Sequence, residues 1–322
     1  IMRSINWTGF VIISIVSYSL LIIIFGFIKF KTSILSIPIS WWFVSLLFTI
    51  SSHFILSIRW TYLIRHLNFY ISYFSSLKIY SAGLTLMATP ARSAESIRGL
   101  WLNKRHQIPI NIGICVTISE RLSDLLSALL IISLSINGDK LIIFTLIFIT
   151  IIIILTNKLH YLIKSILAFI VNLLPFTRKH IKGSAFIQEA YNSLTKLQSL
   201  NKPIPLIFSV FLCSIVWIIE SLLLYITLEY LNVNLTFSQS CIIRTSMGIG
   251  GVISLFPGGL ITSESTAIAI ALAYGAGRSE SIAATLFIRI YTLFLPSLIG
   301  FFSILLQNDL NYSLKNLNKP KL

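Results

Sequence analysis

The sequence predicts an all-α polytopic membrane protein: about six full transmembrane helices and two re-entrant helical hairpins, arranged as an inverted-topology repeat. Three observations predict it. They are the composition, the placement of basic residues along the chain, and a Pro–Glu–Arg order that occurs once in each half. Of 322 residues, 56% are hydrophobic and 11% are charged, against roughly a quarter charged in a soluble domain. Runs such as "LIIFTLIFITIIIIL" (141–155) satisfy their backbone in lipid only as helices.

The apolar segments fall at about 7–28, 35–57, 71–89, 108–136, 141–156, 206–231, 238–256, 261–277 and 281–306. The first has no small-residue cleavage site and reads as a retained anchor. Segment 71–89 is the ambiguous one, since it is long enough to cross but carries Lys78 near its middle. If it crossed, Arg92, Arg98, Lys104, Arg105 and the basic stretch 157–203 would all lie outside. If it returns through 91–105, only Lys29, Lys31, Lys140 and Arg278 are left outside, and Arg3, Arg59, Arg65 and the remaining loop and tail cations lie inside. Cytoplasmic loops are enriched in Lys and Arg, so the second arrangement is expected. By the same logic 238–256 and 261–277 form a hairpin entering from the outer face. Full crossings remain at 7–28, 35–57, 108–136, 141–156, 206–231 and 281–306, with both termini cytoplasmic in an inner membrane.

One domain is expected. Half one covers about 7–156, an amphipathic cytoplasmic linker 157–205, half two about 206–306, and a short basic tail 307–322. Within the linker, "HYLIKSILAFIVNLLPF" (160–176) suits an interfacial helix. Lys202-Pro203-Ile204-Pro205 then breaks the chain before the next span.

The net charge of +15 accompanies apolar spans, so it reflects topology and anionic headgroups and not nucleic acid. Cys115, Cys213 and Cys241 have no paired spacing, and the five histidines (53, 66, 106, 160 and 180) have no ligand spacing. The histidines are expected to pack at interfaces. No cofactor and no metal is expected. There is no P-loop, no H-E-x-x-H and no G-x-S-x-G.

Pro90, Glu95 and Arg121 stand in order in half one, and Pro257, Glu264 and Arg289 in half two. The two Glu-to-Arg spacings differ by a single residue. Each Pro breaks a hairpin, each Glu begins its returning limb, and each Arg sits in the following span. Repeats of this kind put a substrate site at their interface. Thr117, Glu120, Asp124 and Ser127 form one stripe beside Arg121, and Ser281, Thr285, Arg289 and Thr292 form another. Glu220 stands alone in its span. Charges at this depth cost at least ~2.5–3.5 kcal/mol, so they should face a partner or a wet cavity. Gly248, Gly250, Gly251, Gly258 and Gly259 allow either close backbone approach at a hairpin tip or plain helix packing. A half-helix beginning after Pro257-Gly258-Gly259 offers an anion site backed by Arg244 and Arg289, and Arg92 and Arg98 are placed to do likewise in half one.

At "RWTYLIRHLNF", "TPARSAESIRGLWL", "ISERLSDLL" and "LFPGGLITSE" the chain resembles the flippase-like lysylphosphatidylglycerol synthase transmembrane region, over roughly 7–306. The family pattern of P-x-R-x-G-E, E-R-x-x-D and P-G-G-x-G-x-x-E turns falls on Pro90, Arg92 and Glu95; on Glu120, Arg121 and Asp124; and on Pro257, Gly258, Gly259 and Glu264. Ala94 and Ile261 stand where the pattern has glycine, and a Cβ at those turns points to an altered substrate. The resemblance implies movement of a phospholipid or lipid-linked sugar between leaflets. The expected partners are accordingly anionic phospholipid or a polyprenyl-phosphate-linked sugar, with a second copy or a separate lipid-synthesising enzyme as protein partners. A lysyltransferase activity is not expected, since these residues include no soluble catalytic domain. The alternatives are an intramembrane lipid-modifying transferase using Glu95 or Glu264 as base, and a proton-coupled solute transporter using Glu120, Asp124 or Glu220.

Overall fold

The computed structural model describes residues 33–85, 87, 95, 97–136, 192–253 and 258–306. The expected spans at 7–28 and 141–156, the interfacial helix 160–176, and Pro90, Arg92, Ala94 and Pro257 lie outside the described residues. The rest is a multi-pass all-α membrane architecture. Its helices are α1 (Ile39–His66), α2 (Tyr73–Leu84), α3 (Arg98–His106), α4 (Ile110–Ser135), α5 (Pro203–Tyr230), α6 (Phe237–Ile253), α7 (Thr262–Ala273), α8 (Arg278–Arg289) and α9 (Leu295–Leu305). A π-helical turn, Ile290–Phe294, joins α8 to α9 without interrupting the rod. Among the described residues, α1, α5 and the continuous stretch Arg278–Leu305 are long and apolar enough to cross a membrane. Helix α4 has 26 residues and the length to cross, but it carries Glu120, Arg121 and Asp124 inward.

Helices α2 and α7 have 12 residues each and reach about 18 Å, short of the ~30 Å hydrocarbon core. Each has a physical stop. The Ser72 side chain caps the start of α2, and α7 follows a turn in which Gly258, Gly259 and Ile261 all have positive φ. Pro38, Pro109 and Pro203 sit at the starts of α1, α4 and α5, where a missing N–H costs nothing. Helix α1 runs well beyond the expected 35–57, and stops only where Asn68 takes φ 64°. Arg59 and Trp60 are therefore inside the helix and not in a cytoplasmic loop.

Helix α1 shows what solvent it was built for. Phe43, Leu47, Phe54 and Ile58 are exposed, whereas Ser45, Thr49, Ser52 and Arg59 are buried. This inversion of the soluble pattern suits a helix whose outer face meets lipid and whose inner face is held by polar contacts. Two of the hydroxyls answer the burial: Ser45 donates to Trp41 O one turn back at 2.7 Å, and Thr49 to Tyr291 O on the last span at 3.2 Å.

The halves complete each other's cores. Leu260, Leu293 and Ile304 of half two pack into the cluster around Trp60, Ile79, Trp101 and Ile112. Ile37 and Trp41 of half one pack into the cluster around Leu224, Met247 and Phe287. Helix α4 packs on α6, α9 packs on α2, and α1 packs on α5. Helices α3 and α4 cross so closely that a Cβ on Gly113 would stand 2.3 Å from the Gly99 Cα. Gly248, Gly250 and Gly251 serve packing in the same way, facing Trp217, Thr266 and Ser263. The helical residues 192–200 are docked as well, with Asn111 donating to Ser193 Oγ at 3.0 Å and Ser119 to Asn201 at 3.3 Å. The end of the expected linker is thus a fixed part of half one.

Ile261 has φ 73° and ψ −53°, a γ-turn geometry that a β-branched residue adopts only under strain. Such strain is about 1–3 kcal/mol, and glycine takes back about 0.4–1 kcal/mol through the unfolded chain. Its side chain is 49% exposed, so little packing is lost on removal. Ile261→Gly is expected to raise the melting temperature in detergent; a fall would show that the turn is not strained.

Candidate functional site

Six ionised side chains of half one form one buried network. Arg98, in the first turn of α3, donates to Glu120 at 2.8 Å, to Glu95 at 3.1 Å and to Thr117 at 3.4 Å. Its guanidinium lies over Trp60 at 4.1 Å and Tyr80 at 5.2 Å. Gly83 makes room for its stem, since a Cβ there would be 2.5 Å from Arg98 Cδ. Arg59 reaches across from α1 to Asp124 at 2.6 Å and Glu120 at 3.5 Å. Arg121 closes the network, 3.4 Å from Glu95 and 3.1 Å from Asp124. The Cys213 thiol of α5 adds a contact to Asp124 at 3.1 Å.

Burial divides this network into two layers. Arg98 and Glu120 are fully buried and paired with each other. Arg98, expected from sequence to meet an anion, here meets two carboxylates and two aromatic faces. Arg121 and Asp124 keep side-chain exposures of 28% and 23%, and they face an internal cavity.

Half two has a simpler arrangement. Arg289 Nε donates to Glu264 at 2.5 Å and its Nη2 to the Gly258 carbonyl at 2.7 Å. The sequence-predicted pair therefore forms, and it fastens the hairpin turn to the last span. The π-helical turn begins one residue after Arg289, a distortion frequent at functional sites. Glu220, read from sequence as standing alone, is held by Arg244 at 2.5 Å, and Arg244 lies over Trp217 at 4.7 Å.

A cavity of about 60 Å³ lies between the halves, lined among others by Thr49, His53, Arg59, Glu95, Arg121, Asp124, Glu220 and Tyr291. That is room enough for water. It gathers Glu95, Arg121 and Asp124 of the predicted site. Arg98, Glu120, Arg244, Gly258, Gly259, Glu264 and Arg289 are absent from its walls, with Arg244 one contact behind through Glu220. Arg92 and Pro257 lie outside the described residues.

Two wall residues were not predicted. Arg59 had been assigned to the cytoplasmic interface, although Ser45, Thr49, Ser52 and Arg59 share one helical face and that polar stripe could have found it. His53 had been assigned to interfacial packing. It instead lines the cavity, with Nε2 3.0 Å from Ser81 Oγ.

Comparison with characterised proteins and with solved structures gives no match. The family model described as "Lysylphosphatidylglycerol synthase TM region" matches residues 6–300, which takes in both hairpins, both Glu–Arg pairs and the cavity between them. With nearly the whole chain covered, the protein belongs to the lysylphosphatidylglycerol synthase TM region family.

Proposed function

We propose that the protein moves the headgroup of a phospholipid or a lipid-linked glycan between the leaflets of the cytoplasmic membrane. The observation that carries this reading is the pairing itself. Each half joins a glutamate to an arginine of the next span, Glu95 to Arg121 at the cavity and Glu264 to Arg289 away from its walls. A guanidinium fork accepts a phosphate in the geometry it uses for a carboxylate. The glutamates balance the arginines while the site is empty, and an arriving phosphate exchanges with them. The acyl tails stay in lipid while the headgroup passes between the halves.

The helix order supports an inverted repeat. Helices α1 and α5 have 28 residues each. Short hairpin limbs follow each of them, and α4 corresponds to the α8–α9 rod. The cross-contacts are reciprocal, α4 with α6 and α9 with α2, as a two-fold relation requires. Together with the sequence segments 7–28 and 141–156, this gives six crossings and two hairpins in one flippase-like domain. The placement of basic residues puts both termini in the cytoplasm.

The geometry disfavours the transferase alternative, because Glu95 and Glu264 are each held by arginine, and taking up a proton as a base would break that pairing. The functional test is reconstitution. Purified protein in vesicles should accelerate the exchange of a fluorescent phosphatidylglycerol between leaflets, read by its quenching with dithionite. A rate equal to that of protein-free vesicles would refute the transport reading.

The topology has its own test. Ser72, at the start of α2, and Asn103, in α3, are both exposed. Cysteines placed at either position are expected to react with an impermeant maleimide only from the cytoplasmic side. Reaction from opposite sides would mean that the first hairpin crosses.

A further inference from the structure

The carboxylates at the cavity wall are all committed. Glu95 is held by Arg98 and Arg121, Asp124 by Arg59 and Arg121, and Glu220 by Arg244. Protonating any of them breaks an ion pair and leaves an arginine uncompensated, which is costly at this depth. The phenol of Tyr291 donates to Trp42 O at 2.7 Å, and that of Tyr80 lies under Arg98. Phenols ionise near pH 10, far from working conditions.

His53 differs from all of these. It lines the cavity on α1; among the described residues its Nε2 meets only the Ser81 hydroxyl of α2, and its buried Nδ1 has no hydrogen-bond partner. Imidazole is the side chain whose charge changes in the physiological range. Around the same cavity stand Arg59 of α1, Tyr80 of α2, Glu95, Arg121 and Asp124 of α4, Glu220 of α5 and Tyr291 of the π turn. None of these is within hydrogen-bonding distance of the ring among the described residues. A lone charge on the ring is unfavourable here, so it becomes tolerable when an anion enters beside it.

We infer that His53 is the proton-binding site of the cavity, taking up one proton from water at Nδ1 as an anionic headgroup enters and releasing it to water as the headgroup leaves. This deepens the transport reading and rests on it. Coupling of this kind makes the passage of a singly charged phosphodiester electroneutral. The proton-binding group is thus a residue that can change charge without breaking a pair, unlike Glu120, Asp124 and Glu220 of the solute-transporter alternative.

The experiment uses vesicles of phosphatidylcholine and phosphatidylglycerol, with a trace of fluorescent phosphatidylglycerol and trapped pyranine. Wild-type protein is expected to flip the probe several-fold faster at about pH 5 than at about pH 8, with a pyranine signal in step. His53→Gln, which keeps a hydrogen bond to Ser81, is expected to show a flat pH profile and no pyranine signal. Wild-type flipping with no proton movement overturns the coupling alone, as does an unchanged pH profile in His53→Gln. Absence of wild-type flipping at every pH overturns the transport reading and the coupling with it. If His53→Gln fails to fold, Ser81→Ala decides, because it keeps the ring and removes its contact. A moved midpoint supports the assignment, and an unmoved one overturns it.

Discussion

Arg98→Ala is expected to abolish the folded protein and not transport alone. The guanidinium is shared by Glu95 and Glu120, both buried. Removing it leaves two carboxylates with less compensation in a medium that solvates them poorly. Breaking a buried pair typically costs about 3–5 kcal/mol, and the lost stacking on Trp60 adds about 1–2 kcal/mol. That is a large part of the about 5–15 kcal/mol that holds an ordinary domain together. Arg98→Lys keeps the charge but has no plane to stack and no fork to reach both acids, so it should melt between wild type and Arg98→Ala. The double change Arg98→Met, Glu120→Gln removes one charge of each sign and leaves Arg59 and Arg121 with Glu95 and Asp124, so it is expected to recover much of the melting temperature while transport stays lost. Thermal melting in detergent reads all three. An Arg98→Ala protein that melts with wild type would show that the network does not hold the first hairpin to α4.

The two Glu–Arg pairs were legible because spacing along a chain survives folding. A carboxylate that opens a returning limb and an arginine one span later return to the same depth whatever the side chains between them do. The starts of α2 and α7 were legible for a similar reason, since serine and glycine stops act locally. What sequence could not show was which residues face each other across helices. Glu220 looked solitary because its partner Arg244 lies on the next helix, beyond a turn. The sequence likewise does not reveal that Arg98 lies between Glu120 and Trp60. His53 was misread through the misplaced end of α1: a span closed at 57 puts it near the interface, whereas a helix reaching His66 puts it against the cavity.

The halves differ in how tightly their hairpins are held, and this makes Arg289 the second decisive position. Hairpin one is clamped by Arg98, by the Gly99–Gly113 crossing and by Arg121. Hairpin two is joined to the last span through Arg289, with Glu264 on one nitrogen and the Gly258 carbonyl on another. Arg289→Lys cannot satisfy both. One charge-assisted bond is worth about 1.5–3 kcal/mol, so a loss felt at the transport barrier is expected to slow flipping about tenfold or more. Arg289→Ala is expected to stop flipping while the protein remains inserted, because the rest of α7 stays packed on α6 and α8. Glu264→Gln keeps the shape of the pair and removes its charge. It should impair the exchange between empty and loaded states more than it lowers the melting temperature. A purely structural pair predicts otherwise: Arg289→Ala and Glu264→Gln each leave a buried charge uncompensated, so melting and flipping should fall together in both. Fluorescent-lipid flipping measured beside detergent melting separates the two accounts. Wild-type flipping by Arg289→Ala, or loss of flipping only in step with unfolding, would remove Arg289 from the transport mechanism.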